Sequence, residues 1–180
     1  LALMRRYMDI HEVVEIGFNA GHSSYLFLSA RPDVRVLSFD LGDHDYIDMT
    51  KGLIDRLFPG RHELIKGDST KTVPAFADAN PDRTFDLIYI DGGHDYEVAK
   101  ADLEHCRRLS TAASLLVMDD LEPDHEWGAG PARAWREAKD ASLIEEILLV
   151  EDGFPLAGLT LDDVRSQAVV WGLGRYHHPE

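Results

Sequence analysis

Three acidic residues follow two of the most apolar segments of the chain, and their positions predict a cation-binding site. Asp91 comes directly after the apolar residues 88–90. Asp119 and Asp120 come directly after residues 116–118, another apolar run. If the two segments are neighbouring parallel strands, their carboxyl ends lie side by side and the carboxylates converge. Such a cluster is unfavourable unless a proton or a cation compensates it, and oxygen ligands suit Mg²⁺ better than zinc. The alternative is that these acids only keep the strand ends soluble.

His94 lies three residues after Asp91 and is a candidate general base. Histidine has an unperturbed pKa of about 6.5, so it can accept a proton at neutral pH, and a nearby cation favours its neutral form further. A single histidine at the start of a helix also commonly serves as a capping or surface residue. The neighbouring carboxylates favour the catalytic role.

A glycine-containing turn follows the first apolar segment and has the composition of a nucleotide-binding loop. Gly17 and Gly21 permit a tight turn in which the backbone comes close to a ligand, and the next helix offers its N-terminus. Asn19 and Ala20 stand where the dinucleotide pattern Gly-x-Gly-x-x-Gly requires its second glycine, which disfavours a nicotinamide cofactor. Asn19 is still among the residues that best tolerate a left-handed backbone.

Two further acids end predicted strands at the same edge of the sheet. Asp40 lies 23 residues after Gly17, where a carboxylate can accept hydrogen bonds from both hydroxyls of a ribose. Asp68, with Ser69 beside it, follows the third predicted strand. Taken singly, these acids are also consistent with an ordinary strand end and an ordinary turn.

These residues are positioned by a predicted alternation of apolar strands and amphipathic helices, which is typical of βαβ units. Strands are predicted at residues 13–16, 34–39, 62–66, 85–90, 114–118, 143–150 and 164–171, the last two as an antiparallel pair. Helices are predicted at residues 23–30, 46–58, 72–77, 95–109 and 131–139. Residues 121–130 are predicted to form a polar loop, either a lid with His125 and Trp127 facing a substrate or a mobile surface loop. The expected fold is α/β: a Rossmann-like, seven-stranded, mostly parallel sheet with helices on both faces and an antiparallel last strand.

The composition limits the classes of function. The 180 residues suit a single domain, 1–180, and because the chain begins with Leu1 instead of Met we expect N-terminal residues to be missing. Its 18 Lys and Arg against 33 Asp and Glu give a net charge of −15, which disfavours nucleic acids and anionic membranes as partners. The single cysteine, Cys106, does not call for an oxidising compartment, so we expect a cytoplasmic protein.

The glycine turn resembles motif I of the class I S-adenosylmethionine-dependent methyltransferases. The resemblance rests on the acid two residues before the first glycine, in Glu15-x-Gly17-x-x-x-Gly21. It implies that S-adenosylmethionine is the cofactor, with Asp40 at the ribose and Asp68 at the adenine amino group. The implied cofactor-binding residues are Glu15, Gly17, Asn19, Gly21, Ser23, Asp40, Asp68, Ser69 and Asp91.

The strand-end acids resemble the metal site of the O-methyltransferases of the catechol O-methyltransferase type. This resemblance implies that Asp91, Asp119 and Asp120 hold a divalent cation, Mg²⁺. It also implies that His94, at the position of the catalytic lysine of the catechol enzymes, removes the acceptor's proton. The Asp-Asp pair is similar to that of the small-molecule and sugar O-methyltransferases of natural-product pathways.

The resemblance covers about residues 13–171 and implies metal-assisted methyl transfer to a hydroxyl of a natural-product, sugar or phenolic acceptor. The remaining walls of the acceptor site are expected from residues 121–130, from upstream residues or from a second subunit of a homo-oligomer. Two alternatives stay open at this point. One is a nicotinamide-dependent oxidoreductase on a Rossmann sheet, and the other is a non-catalytic nucleoside-binding member of the methyltransferase fold.

Overall fold

The structure is a computed structural model that describes residues 10–156, 158, 160–164 and 169–178 of the chain. Its helices are α1 (His22–Ala30), α2 (Ile47–Leu57), α3 (Ser69–Ala79), α4 (Tyr96–Cys106) and α5 (Glu126–Asp140). Its strands are β1 (Glu12–Ile16), β2 (Arg35–Asp40), β3 (His62–Lys66), β4 (Leu87–Ile90), β5 (Leu115–Met118), β6 (Ile144–Glu151), β7 (Phe154–Pro155) and β8 (Val170–Tyr176). None of these helices has the length and apolar character of a membrane-spanning segment.

The strands form one sheet in the order β3-β2-β1-β4-β5-β8-β6-β7. The first five strands in this order, β3-β2-β1-β4-β5, pair in parallel, whereas β8 runs antiparallel to both of its neighbours, β5 and β6. The expected α/β architecture with an antiparallel last strand is therefore confirmed. The described residues contain one strand more than predicted, because the two-residue β7 pairs with the end of β6.

Apolar side chains pack on both faces of the sheet because neighbouring residues of each buried strand point to opposite faces. Val14 and the residues that pair with it in the neighbouring parallel strands pack with α3, α4 and α5. Val13 and the residues that pair with it pack on the other face with α1 and α2. The largest fully buried side chain is Trp135, on the inner face of α5. This two-sided core holds the carboxyl ends of the parallel strands at one edge.

The position predicted for the last strand was wrong. It was expected at residues 164–171, but β8 spans Val170–Tyr176, and residues 165–168 lie outside the described part of the chain. Gly172 and Gly174, which follow the predicted range, lie inside the strand. A Cβ atom on Gly172 would come within 2.7 Å of the Trp135 ring, so glycine is required where the helix packs closely on the strand.

The polar loop predicted at residues 121–130 was also partly wrong, because α5 already begins at Glu126. The glycines of this segment are packing positions in the helix. A Cβ atom on Gly130 would lie 2.1 Å from the carbonyl oxygen of His94, and one on Gly128 would lie 2.5 Å from the carbonyl oxygen of Glu122. The first turns of α5 therefore pack directly against the segment that carries His94.

Candidate active site

The acids of the site are held by the parallel pairing of the central strands. The predicted side-by-side arrangement of β4 and β5 is confirmed. Beyond the strand ends, the amide of Asp91 donates to the carbonyl of Ile16 on β1 at 2.9 Å. The amide of Asp119 donates to the carbonyl of Ile90 on β4 at 2.9 Å. The backbone therefore fixes both acids at the same edge before any side-chain contact is considered.

The side chains of Asp91 and Asp119 meet at the hydroxyl group of Tyr89. This oxygen lies 2.8 Å from Oδ2 of Asp119 and 3.2 Å from Oδ2 of Asp91. Burial, together with the nearby charges of Asp119 and Asp120, raises the pKa of Asp91 to about 7. Burial and the two acids also raise the pKa of Tyr89, so its hydroxyl keeps its proton and donates it. The sequence analysis missed Tyr89, although it is the one residue with a polar tip in an otherwise apolar strand.

A possible cation site is formed by Asp91, His94 and Asp120. One ligand atom from each of these residues lies within 4.8 Å of the others, and Nε2 of His94 lies 2.8 Å from Oδ2 of Asp120. Among the described residues, Asp119 is not part of this group. Its Oδ1 accepts the amide hydrogen of Asp120 at 3.0 Å, and its Oδ2 accepts from Tyr89. The structure thus brings together two of the three predicted ligands and adds the predicted base.

The chemistry of this group fits a divalent cation. Burial and the charge of Asp119 raise the pKa of Asp120, as they do for Asp91, although His94 acts in the opposite direction on Asp120, so a bound cation would stabilise both acids in their charged form. Asp120 also adopts a left-handed backbone with φ of 57°, a conformation that is costly for a residue other than glycine. Two carboxylates with an imidazole suit Mg²⁺ or Mn²⁺ and also metals that prefer nitrogen ligands.

A cavity of about 490 Å³ lies beside this group, within the size range of small-molecule sites. Six of the predicted cofactor-binding residues line it, namely Gly17, Asn19, Asp40, Asp68, Ser69 and Asp91. Asp91 therefore belongs to both the cavity and the possible cation site.

Asp40 connects the glycine turn to the end of β2. Its Oδ2 accepts the amide hydrogens of Phe18 and Asn19 at 3.0 and 2.8 Å, and its Oδ1 accepts that of Gly42 at 2.7 Å. Asn19 has φ of 44°, the left-handed conformation expected for this position. Since a carboxylate oxygen can accept more than one hydrogen bond, Asp40 retains capacity for ligand hydroxyls.

Asp68 caps the N-terminus of α3. Its Oδ1 accepts the amide hydrogen of Thr70 at 3.0 Å, and its Oδ2 lies 2.7 Å from Nζ of Lys71. Hydrogen bonds from Lys71 and Thr70 lower the pKa of Asp68 to about 2. The cap explains why α3 starts at Ser69, three residues earlier than predicted.

Glu15, Gly21 and Ser23 are not among the residues that line the cavity. Glu15 is fully buried beneath the turn, and its carboxylate accepts hydrogen bonds from Ser23, Ser24 and Ser38. Burial raises its pKa, against the opposing effect of the serines. Gly21 has φ of 71° and precedes α1 as its N-cap. These positions support the turn from below instead of facing the cavity.

The closest backbone approach of the site is at Gly17, and we expect Gly17→Ala to destabilise the fold strongly. Gly17 has φ of 95°, and a Cβ atom there would lie 1.9 Å from the carbonyl oxygen of Asp91. Left-handed strain and overpacking together should lower the free energy of unfolding by about 2–4 kcal/mol, measured by urea denaturation. Gly60→Ala is the matched control, because Gly60 has φ of 70° but no atom within 4 Å of a Cβ. Equal losses in the two variants would contradict the close approach.

Comparisons with known proteins show the family and the fold of the chain. The family described as "Methyltransferase domain" matches residues 14–121, which is more than half of the chain. No curated protein sequence matches the chain. The match to a methyltransferase family decides against the nicotinamide-dependent oxidoreductase.

Solved structures share the fold across nearly the whole chain. CalS11, described as a TDP-rhamnose 3'-O-methyltransferase of calicheamicin biosynthesis, aligns with a TM-score of 0.69 and 24% identity over 95% of this chain and 75% of its own. An O-methyltransferase from Bacillus cereus in complex with SAH aligns with a TM-score of 0.73 and 16% identity over 98% of this chain and 78% of its own. TomG from Streptomyces achromogenes, an O-methyltransferase involved in tomaymycin synthesis, aligns in complex with SAM with a TM-score of 0.71 and 16% identity over 98% of this chain and 77% of its own.

At these identities the structural likeness concerns the fold, and the family assignment rests on the sequence match. With its mostly parallel sheet, its glycine turn after β1 and its acid at the end of β2, the chain belongs to the methyltransferase domain family and has the fold of the class I S-adenosylmethionine-dependent methyltransferases.

Proposed function

We propose that the protein transfers the methyl group of S-adenosylmethionine to a hydroxyl group of a small molecule, with the help of a divalent cation. The observation that carries this proposal is the position of Asp91, which lines the cavity and also belongs to the possible cation site. A methyl donor in the cavity and an acceptor at the cation site would therefore be neighbours. Such proximity converts a bimolecular reaction into one between positioned groups.

The cavity residues account for binding of the methyl donor. The Asp40 carboxylate, held by three backbone amides, accepts hydrogen bonds from the ribose hydroxyls. Asp68 accepts from the adenine amino group, and its low pKa keeps it ionised for that purpose. Gly17, which has no side chain, and Asn19, in a left-handed conformation, form the tight turn that lets the backbone come close to the donor.

The residues of the cation site account for the acceptor's activation. Asp91 and Asp120 would hold a divalent cation, and that cation would lower the pKa of an acceptor hydroxyl beside it. Nε2–H of His94 donates to Oδ2 of Asp120 at 2.8 Å, which leaves Nδ1 to accept the hydroxyl proton, and the Asp120 carboxylate stabilises the imidazolium that results. The acceptor oxygen then forms a bond to the methyl carbon, the sulfur–carbon bond breaks, and the electron pair stays on sulfur to give S-adenosylhomocysteine.

An exposed aromatic surface at the start of α5 is a candidate wall for the acceptor. The rings of His125 and Trp127 stack with their centroids 4.3 Å apart, and Nε1 of Trp127 donates to Glu122 at 2.8 Å. Trp127 remains 48% exposed despite these contacts. A flat apolar surface next to the His94 segment suits a phenolic ring or the apolar face of a sugar. Two of the structural relatives are described as a TDP-rhamnose 3'-O-methyltransferase and an O-methyltransferase of tomaymycin synthesis, which supports a small-molecule acceptor.

Binding of S-adenosylhomocysteine tests the first half of the proposal. We expect calorimetry to show binding of S-adenosylhomocysteine but not of NADH. Asp40→Ala should weaken this binding by about 10- to 100-fold, because it removes the side chain that accepts hydrogen bonds from the ribose hydroxyls. Asp45→Ala, an equal charge change at an exposed position nearby, should leave the affinity unchanged. Failure of the wild-type protein to bind S-adenosylhomocysteine would contradict the proposal.

Turnover with a panel of hydroxyl compounds tests the second half. Methylation of a phenol, a sugar or an alcohol, detected by release of S-adenosylhomocysteine, is the expected result. Binding of S-adenosylhomocysteine without transfer to any member of the panel would instead favour the non-catalytic nucleoside-binding alternative.

A further inference from the structure

Asp102, in the middle of α4, is a buried acid that the proposed reaction does not use. It is fully buried, and among the described residues neither of its carboxylate oxygens has a hydrogen-bond partner. An acceptor left in this state destabilises a protein, because it has lost its bonds to water without replacing them. A different amino acid at this position would avoid this cost, so the carboxyl group calls for an explanation.

The surroundings of Asp102 place it directly behind the cavity. A Cβ atom on Gly92, which lines the cavity, would lie 3.2 Å from Oδ2 of Asp102. Ser69 lines the cavity as well, and its side chain is close enough to lower the pKa of Asp102 without completing a hydrogen bond. Burial and the charge of Asp68 act in the opposite direction, and the pKa is about 7. The carboxyl group therefore lies behind two residues of the cavity wall and beside a hydroxyl that could satisfy it.

We propose that Asp102 is a positioning residue of the nucleoside cavity: when the cavity is filled, the Ser69 hydroxyl donates a hydrogen bond to the Asp102 carboxylate and this wall becomes fixed. The cost of the unpartnered carboxylate is then relieved by ligand binding, which adds to the affinity. This inference rests on the proposed function, because the ligand is the nucleoside of the methyl donor.

The inference predicts that Asp102→Leu weakens S-adenosylhomocysteine binding at least 10-fold in calorimetry. The same change removes a buried unpartnered carboxyl group, so the melting temperature of the ligand-free protein should stay the same or rise. A residue with a merely structural role would instead lower the melting temperature when it is replaced. Asp102→Asn retains an oxygen that can accept from Ser69, so it should stay within about 5-fold of wild-type affinity.

A double-mutant cycle tests whether Asp102 acts through Ser69. Asp102→Leu should have no further effect on affinity in a Ser69→Ala background. Cys106→Ala controls for repacking, because Cys106 is buried one turn later on the same helix, and it should bind S-adenosylhomocysteine like the wild type. Additive effects, or wild-type affinity in Asp102→Leu, would overturn the inference and leave the proposed function intact. Absence of binding by the wild-type protein would overturn both.

Discussion

Asp120→Asn is expected to lower the rate of methyl transfer by about 1,000-fold, equivalent to about 4 kcal/mol of transition-state stabilisation. The substitution removes one negative charge from the group formed by Asp91, His94 and Asp120, while an amide oxygen can still accept a hydrogen bond from His94. Asp120 does not line the cavity, so S-adenosylhomocysteine affinity should remain within about 3-fold of the wild type. Asp124→Asn, the same change at an exposed position nearby, should retain full activity.

Treatment with EDTA should have the same effect on the wild-type protein, and added Mg²⁺ or Mn²⁺ should restore its activity. Turnover that survives EDTA in the wild type, or that is unaffected by Asp120→Asn, would rule out the metal-assisted mechanism. Retention of S-adenosylhomocysteine binding in both experiments separates failure of the cation site from failure of the fold.

The raised pKa of Asp91 predicts how a divalent cation changes the melting temperature at different pH values, and this measurement is independent of activity. Its pKa is about 7 in the folded protein and about 3.9 in an unfolded chain, so the folded state binds the proton more tightly. Without a cation, this group therefore lowers the free energy of unfolding as the pH rises from about 4 to about 7. A cation replaces the proton, so MgCl₂ or MnCl₂ should raise the melting temperature more at pH 8 than at pH 5.5. The increase should be small in Asp120→Asn.

The sheet edge could be predicted from the sequence because it depends on patterns that local residues set. Short apolar runs separated by helices fix a parallel order, and acids at the ends of such runs must share an edge whatever the side chains do. Asp91, Asp119 and Asp120 follow this rule. Asn19 follows a similar one, since its left-handed conformation is set by the turn in which it lies.

The choice of side-chain partners could not be predicted in the same way, because it depends on packing between distant segments. The Tyr89 hydroxyl donates a hydrogen bond to Oδ2 of Asp119, and His94 is the third member of the possible cation site in place of Asp119. His94 is itself held by α5, where Gly130 lets the helix come into contact with its carbonyl group. The sequence shows this glycine, but only the packing distinguishes a contact in a helix from a turn in a loop.

The buried position of Glu15 also depends on contacts between distant segments, so it could not be predicted from the sequence. The motif indicates an acid near the cofactor, whereas Ser24 and Ser38, from α1 and β2, provide a polar site beneath the turn. These serines lie 9 and 23 residues away along the chain, so their convergence on one carboxylate appears only in three dimensions.

The close pairing of His94 with Asp120 leaves two roles for this histidine, general base or cation ligand, and His94→Gln distinguishes them. As a base, His94 removes the acceptor's proton, so its loss should lower the transfer rate about 100-fold at pH 7. The fraction of ionised hydroxyl rises about tenfold with each pH unit below the acceptor's own pKa. The deficit should therefore narrow between pH 7 and pH 9.5, while the melting-temperature increase caused by Mg²⁺ stays near that of the wild type.

A cation ligand would behave differently, because the site would lose metal affinity at every pH. A constant deficit between pH 7 and pH 9.5, together with a smaller melting-temperature increase from Mg²⁺, would contradict the role of His94 as a base. His22→Gln, at an exposed position on α1, is the matched control and should change neither the rate nor the pH profile. Nε2 of His94 lies 2.8 Å from Asp120. In an Asp120→Asn background, His94→Gln should therefore lower the transfer rate by a smaller factor, because a base without its carboxylate partner contributes less to the rate.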